Sequence, residues 1–147
     1  MKKKLFLLMT ALVTFFALTA CSSEPFVLKD TEVTYMTDEE IAAIQTFGDY
    51  KNAMKSLSDS YVADFNELVE QLPEDYQEAI KEEAGDLEQL MADQQAALEE
   101  SMADIPDTEA IPVESKESML STLKTMRDQL KSTMQDIRDS AVEELNQ

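Results

Sequence analysis

Apolar residues return along most of this chain at spacings of four, three and four, and that rhythm constrains the fold more than any other feature. Tyr50, Met54 and Leu57 are followed by Tyr61, Phe65 and Leu68 and then Leu72, an eleven-residue period. The period returns near the C-terminus as Met119, Leu123, Met126, Leu130, Met134, Ile137, Ala141 and Leu145. Between them Tyr76 and Ile80, Leu87 and Met91, Leu98 and Met102 recur at eleven, within the near-repeats LEQLMAD (87–93) and LEESMAD (98–104). Eleven residues over three turns is about 3.67 per turn, close to the natural helix, so such stripes run nearly straight or slightly right-handed. A strand cannot use this period, and a disordered acidic chain has no reason to keep it. The expected class is all-α.

Punctuation divides the stripe. Thr37-Asp38-Glu39-Glu40 is a capping box, with Met36 and Ile41 placed as a hydrophobic staple. The early acids suit the positive end of the helix dipole. Leu72-Pro73 ends one helix, because the residue before proline avoids helical angles, and Pro73 opens the next. The segment from Ile105 to Pro112 holds two prolines and reads as a longer connection, with Ser115 as the N-cap of the last helix. These signals predict helices over about 38–72, 74–104 and 115–145, packed as an elongated, coiled-coil-like three-helix bundle. A bent first-and-second helix with the third packed along it is the alternative. The middle helix has the thinner seam, polar at Glu83 and Gln94 and weakened by Gly85, which is compatible with a homodimer.

The N-terminus has a different logic. Lys2, Lys3 and Lys4 precede an apolar or small run from Leu5 to Ala20, the three-part layout of an exported signal peptide. Its strongly apolar part is short for a spanning helix, which needs about 20 residues. Leu18-Thr19-Ala20-Cys21 resembles a bacterial lipobox. That resemblance covers residues 1–21 alone and implies cleavage between Ala20 and Cys21, with a diacylglyceryl group on the Cys21 thiol. A second, palmitate-type acyl chain makes such an anchor stable, since one chain holds a protein only marginally. The alternative, a free thiol after an ordinary signal peptide, is odd for the lone cysteine of an exported chain. The organisation expected is therefore a signal peptide over 1–20, a lipidated tether over 21–36 and an acidic helical domain over 37–147. Within the tether Pro25 opposes helix, and Val27, Val33 and Tyr35 suit an extended course along the domain. The location expected is the cell membrane or outer membrane, outside the cytoplasm. A remote alternative treats the signal peptide as the precursor of a short signalling peptide.

Charge then narrows the partners. Without residues 1–20 the chain keeps all 31 acids and nine basic residues, a net charge of −22. Residues 59–109 hold 17 acids and one base, Lys81. Such a body repels nucleic acid and anionic lipid and attracts cations over long range. With no histidine and the one thiol assigned to a lipid, no nucleophile–base arrangement can be read, so an enzyme is not expected. No cofactor or metal is expected either. Methionine spacings of seven, eight and eleven are too wide for local chelation, and carboxylates on an open helix hold divalent ions weakly. The stripe methionines read as core fillers, with an adaptable partner-binding groove as the alternative. Glu74, Glu78, Glu82 and Asp86 recur every four residues on one face of the middle helix, where like charges oppose the helix itself. They form a candidate face for a cationic partner, against the simpler reading of a solvated face.

Two functions are expected from this. One is a lipid-anchored, non-enzymatic interaction or spacer module of the cell envelope. The other is a protein that sequesters a cationic peptide or basic protein, in the manner of an immunity protein.

Overall fold

The structure is a computed structural model that describes residues 25–147, apart from the side chains of residues 79 and 81–84. Four helices are described: α1 (Asp38–Ala42), α2 (Phe47–Gln71), α3 (Glu74–Ser101) and α4 (Val113–Leu145). α2 and α3 form an antiparallel hairpin, and α2 also packs along α4. α3 and α4 approach each other only sparsely, so α2 is the shared wall of the bundle. α1 lies against α4. The all-α bundle expected from the apolar period is what forms.

The eleven-residue stripes build the core. Tyr61, Phe65, Leu68 and Leu72 meet Ile80, Leu87 and Met91 of α3 and Met134 and Ala141 of α4 in one cluster. Tyr50 and Leu57 meet Met102, Leu123 and the α1 residue Ile41 in a second, toward the other end. The stripe methionines Met54, Met119 and Met126 pack at its margin. Apolar burial of this kind is worth about 25 cal/mol per Å2 and is the main force holding the helices together.

The expected first helix, 38–72, is broken in two. The Thr37 box is present: the Glu40 amide donates to Thr37 Oγ1 and the Thr37 amide to Glu40 Oε2, at 3.2 and 2.7 Å. The helix it starts ends after one turn, because a second capping box begins at Thr46. There the Asp49 amide donates to Thr46 Oγ1, and the Gln45 and Thr46 amides both donate to Asp49 Oδ2 at 3.0 Å. Residues 43–46 are free of helix so that they can pair with the 102–112 connection. The Phe47 amide donates to the Glu109 carbonyl and the Ile111 amide to the Gln45 carbonyl, an antiparallel bridge between Thr46 and Ala110. The Gly48 amide reaches the Asp107 carbonyl at 2.9 Å. A Cβ on Gly48 would sit 2.8 Å from that carbonyl oxygen, so the clasp requires glycine there.

Two other boundaries differ from expectation. α4 starts at Val113 with Pro112 as its N-cap, rather than at Ser115, whose amide donates to the Pro112 carbonyl. Proline at a helix entry is already set at the helical φ, and Ile111 beside it is buried in the second cluster. α3 ends at Ser101 rather than 104, a small shift at an end that frays into turn. Lys51 Nζ caps that end by donating to the Met102 carbonyl at 3.3 Å. Gln77 caps α2 in the same way, donating to the Leu72 carbonyl at 2.8 Å.

Candidate functional site

Residues 26–36 carry no regular structure, yet they are tied down along the bundle. The strap runs antiparallel to α2. The Phe26 amide donates to Asn146 Oδ1 at 2.7 Å, and the Lys29 amide to Gln71 Oε1 at 2.7 Å. The Glu32 amide donates to the Glu67 carboxylate at 3.1 Å, and Ser60 Oγ to the Thr34 carbonyl at 3.2 Å. Phe26, Leu28 and Tyr35 rest on the first core cluster, whereas Val27 is 76% exposed. Side chains near the ends of α2 and α4 thus stand in for a neighbouring strand, satisfying backbone amides that have no ladder of their own.

The strap ends at a buried charge pair. Asp64 on α2 and Arg138 on α4 are 3% and 8% exposed, with Arg138 Nη2 2.7 Å from Asp64 Oδ1. Tyr35 of the strap donates its hydroxyl to the other carboxylate oxygen at 3.2 Å. Burial first, and the Asp64 charge second, push the Tyr35 hydroxyl's pKa far above the ordinary tyrosine range. Tyr61 is pushed up by burial and then by Asp64 in the same way. Three separate segments converge here, and a charge left without its partner in such a place is costly. Neither Asp64 nor Arg138 was singled out from the sequence. The signal was present, since Asp64 lies three residues after Tyr61 and four before Leu68, and Arg138 four after Met134 and three before Ala141. Both are charges set inside an apolar stripe.

At the other end Arg127 of α4 holds α1. Its Nη1 donates to Asp38 Oδ1 at 2.7 Å and to the Met36 carbonyl at 3.1 Å, and its Nε to Asp128 at 2.9 Å. Hydrogen bonds from Arg127, and then from Lys124, hold the Asp38 carboxyl below its usual range.

The face expected from Glu74, Glu78, Glu82 and Asp86 is solvent-facing where it is described. Glu74, Glu78 and Asp86 are exposed along α3, and the Glu82 side chain lies outside the described residues. Among the described residues no three acids converge as a metal site. Elsewhere on the same helix the surface is shaped. Between α2 and α3 runs a groove of about 520 Å3, floored by Val62, Ala63, Met91, Ala92 and Ala96. Its walls carry Asp59, Glu88 and Glu99. Lys55 at its rim is bound to Asp59 at 2.6 Å, and Asn66 bridges to Glu88 at 3.1 Å. Asp86 stands two residues from Glu88, about 200° around the helix, whereas Glu74 and Glu78 share the helical phase of Ala92 and Ala96 but lie 14 and 10 residues before Glu88, so the expected face lies outside the groove lining.

Cys21 and Ala20, the expected lipid-attachment and cleavage positions, lie outside the described residues. No described helix is long and apolar enough to cross a membrane. No family model, no curated protein and no solved structure matches this chain.

Proposed function

We propose that this chain is a lipid-anchored, non-enzymatic helical protein of the cell envelope, held at the outer side of a membrane through Cys21 and acting as an interaction or spacer module. The supporting observation is the strap. It joins the bundle at Phe26, five residues after Cys21, and five residues reach at most about 18 Å. The folded body therefore begins close to the proposed lipid. The Asn146 end of α4 faces the membrane, and the clasp of 43–46 with 102–112 points away from it. The 33 residues of α4 separate the two ends by about 50 Å. Repulsion between the acidic body and anionic headgroups favours an upright stance, which holds the far end out for contact.

Replacing Cys21 by serine in the full chain tests the anchor. The expected result is loss of both palmitate incorporation and lipobox processing. Recovery of the usual lipid-modified, processed product from Cys21→Ser would overturn the proposal.

A second reading, capture of a cationic ligand, is favoured by the groove, because its apolar floor sits between acidic walls. A spacer ignores a polycation. A capturing protein unfolds at a higher temperature in its presence, and salt removes the effect.

A further inference from the structure

We infer that the α2–α3 groove is the seat of a cationic amphipathic helix, a deepening that rests on the capture reading above. The groove-facing positions of α2 run from Lys55 to Asn66 and those of α3 from Glu88 to Glu99. Each set spans twelve residues, eleven steps of about 1.5 Å, or about 16 Å and three helical turns. A helix laid in such a groove needs anchors at i, i+3, i+4 and i+7 of its apolar face. The floor suits close approach of a helix. Ala63, Ala92 and Ala96 are exposed and small, and the Met91 thioether adapts to what packs on it.

Charge names the occupant. Asp59, Glu88 and Glu99 bracket the floor from both helices, and the one cation at the rim, Lys55, is already held by Asp59. The surrounding stretch, residues 59–109, holds 17 acids and one base. An apolar helix without charge gains nothing from these walls, and an anionic one is repelled. A basic helix with an apolar face satisfies floor and walls together. The hairpin is under-filled on this side because small residues, Ala63, Ala92 and Ala96, stand where larger ones would close it.

The test titrates the full chain, in neutral detergent with a micelle-only blank, against two peptides of equal charge. One is a leucine–lysine amphipathic helix and the other a lysine homopeptide, each tried at low and high salt. The expected result is binding of the amphipathic peptide at least about tenfold tighter than the homopeptide. Ala92→Trp, which fills the groove from an exposed helical position, abolishes that difference. Glu88→Gln, a milder change, weakens the amphipathic peptide and its salt dependence. The triple change Glu74→Gln, Glu78→Gln and Asp86→Asn, at positions outside the groove lining, preserves the preference. Equal binding of both peptides, unaltered by Ala92→Trp, would overturn the groove and leave diffuse electrostatic capture standing. Binding of neither peptide at low salt would overturn the capture reading and the groove with it.

Discussion

Arg138 reaches from α4 across to Asp64 on α2 with a 2.7 Å contact, both groups withdrawn from water, and no other described ion pair is buried on both sides. Removing one partner leaves the other charged and dry. Arg138→Met is expected to cost about 3–5 kcal/mol, measured by denaturant unfolding. The triple change Tyr35→Phe, Asp64→Leu, Arg138→Met restores much of that loss, because an apolar set of similar volume removes the desolvation penalty. A triple variant as unstable as Arg138→Met would show that the pair contributes more than its own compensation.

Tyr35→Phe alone removes the strap's hydroxyl bond to Asp64 and is expected to cost about 1 kcal/mol globally. Its local effect is larger. Hydrogen exchange at the Lys29 and Glu32 amides, which donate to Gln71 and Glu67, is expected to accelerate well before exchange in α2 does.

The two glycines predict opposite signs for one substitution. Gly48→Ala gains helix propensity but places a Cβ against the Asp107 backbone, 2.8 Å from its oxygen, so the 102–112 connection must move. A net loss of about 1–2 kcal/mol is expected, by analogy with overpacking. Gly85→Ala meets nothing within 4 Å, and the propensity gain of about 1 kcal/mol is kept. Melting temperatures of the two variants, side by side, check the pair.

Acid acts on this fold through groups of opposite sign. Backbone amides hold the Glu40 and Asp49 carboxyls below their usual ranges, and Arg127 does so for Asp38. The stability these groups contribute is present above the ordinary carboxylate range and is lost as pH falls through their depressed values. Glu144 behaves in reverse: burial, and then the neighbouring Glu143, raise it, and its Oε2 is buried without a hydrogen-bond partner. Its ionised form penalises the fold at neutral pH, and protonation relieves the penalty. Glu144→Gln is therefore expected to raise the melting temperature at pH 7. The gain fades as pH falls through the raised value of Glu144 toward the ordinary carboxylate range.

What was legible in the sequence is what repeats locally. The apolar period predicted which side of each helix is buried, from Tyr50 to Leu72 and from Met119 to Leu145, because burial and helical phase are the same information. The break at 43–46 was written in Thr46-Phe-Gly-Asp49, a box of the same kind as Thr37-Asp-Glu-Glu40. It was hidden because the apolar phase runs on past it and one glycine is tolerated in a helix. The strap was harder to foresee. Its amides are satisfied by Asn146, Gln71 and Glu67, residues 35 to 120 positions away in sequence, and nothing local marks such pairings. The groove was foreshadowed only by the small size of Ala92 and Ala96, and it becomes visible once α2 supplies the opposite wall.

The strap also sets how this body answers a mechanical load. Its attachments to Asn146, Gln71, Glu67 and Asp64 lie in line along the bundle. A pull on residue 25 directed along that line is shared by all of them at once, as in a lap joint under shear. A pull across it opens them one after another, Phe26 first and Tyr35 last, as a peeling strip of tape does. The same few hydrogen bonds thus hold firmly while the bundle stands in line with the chain that leads to it, and release in sequence when it is tipped over.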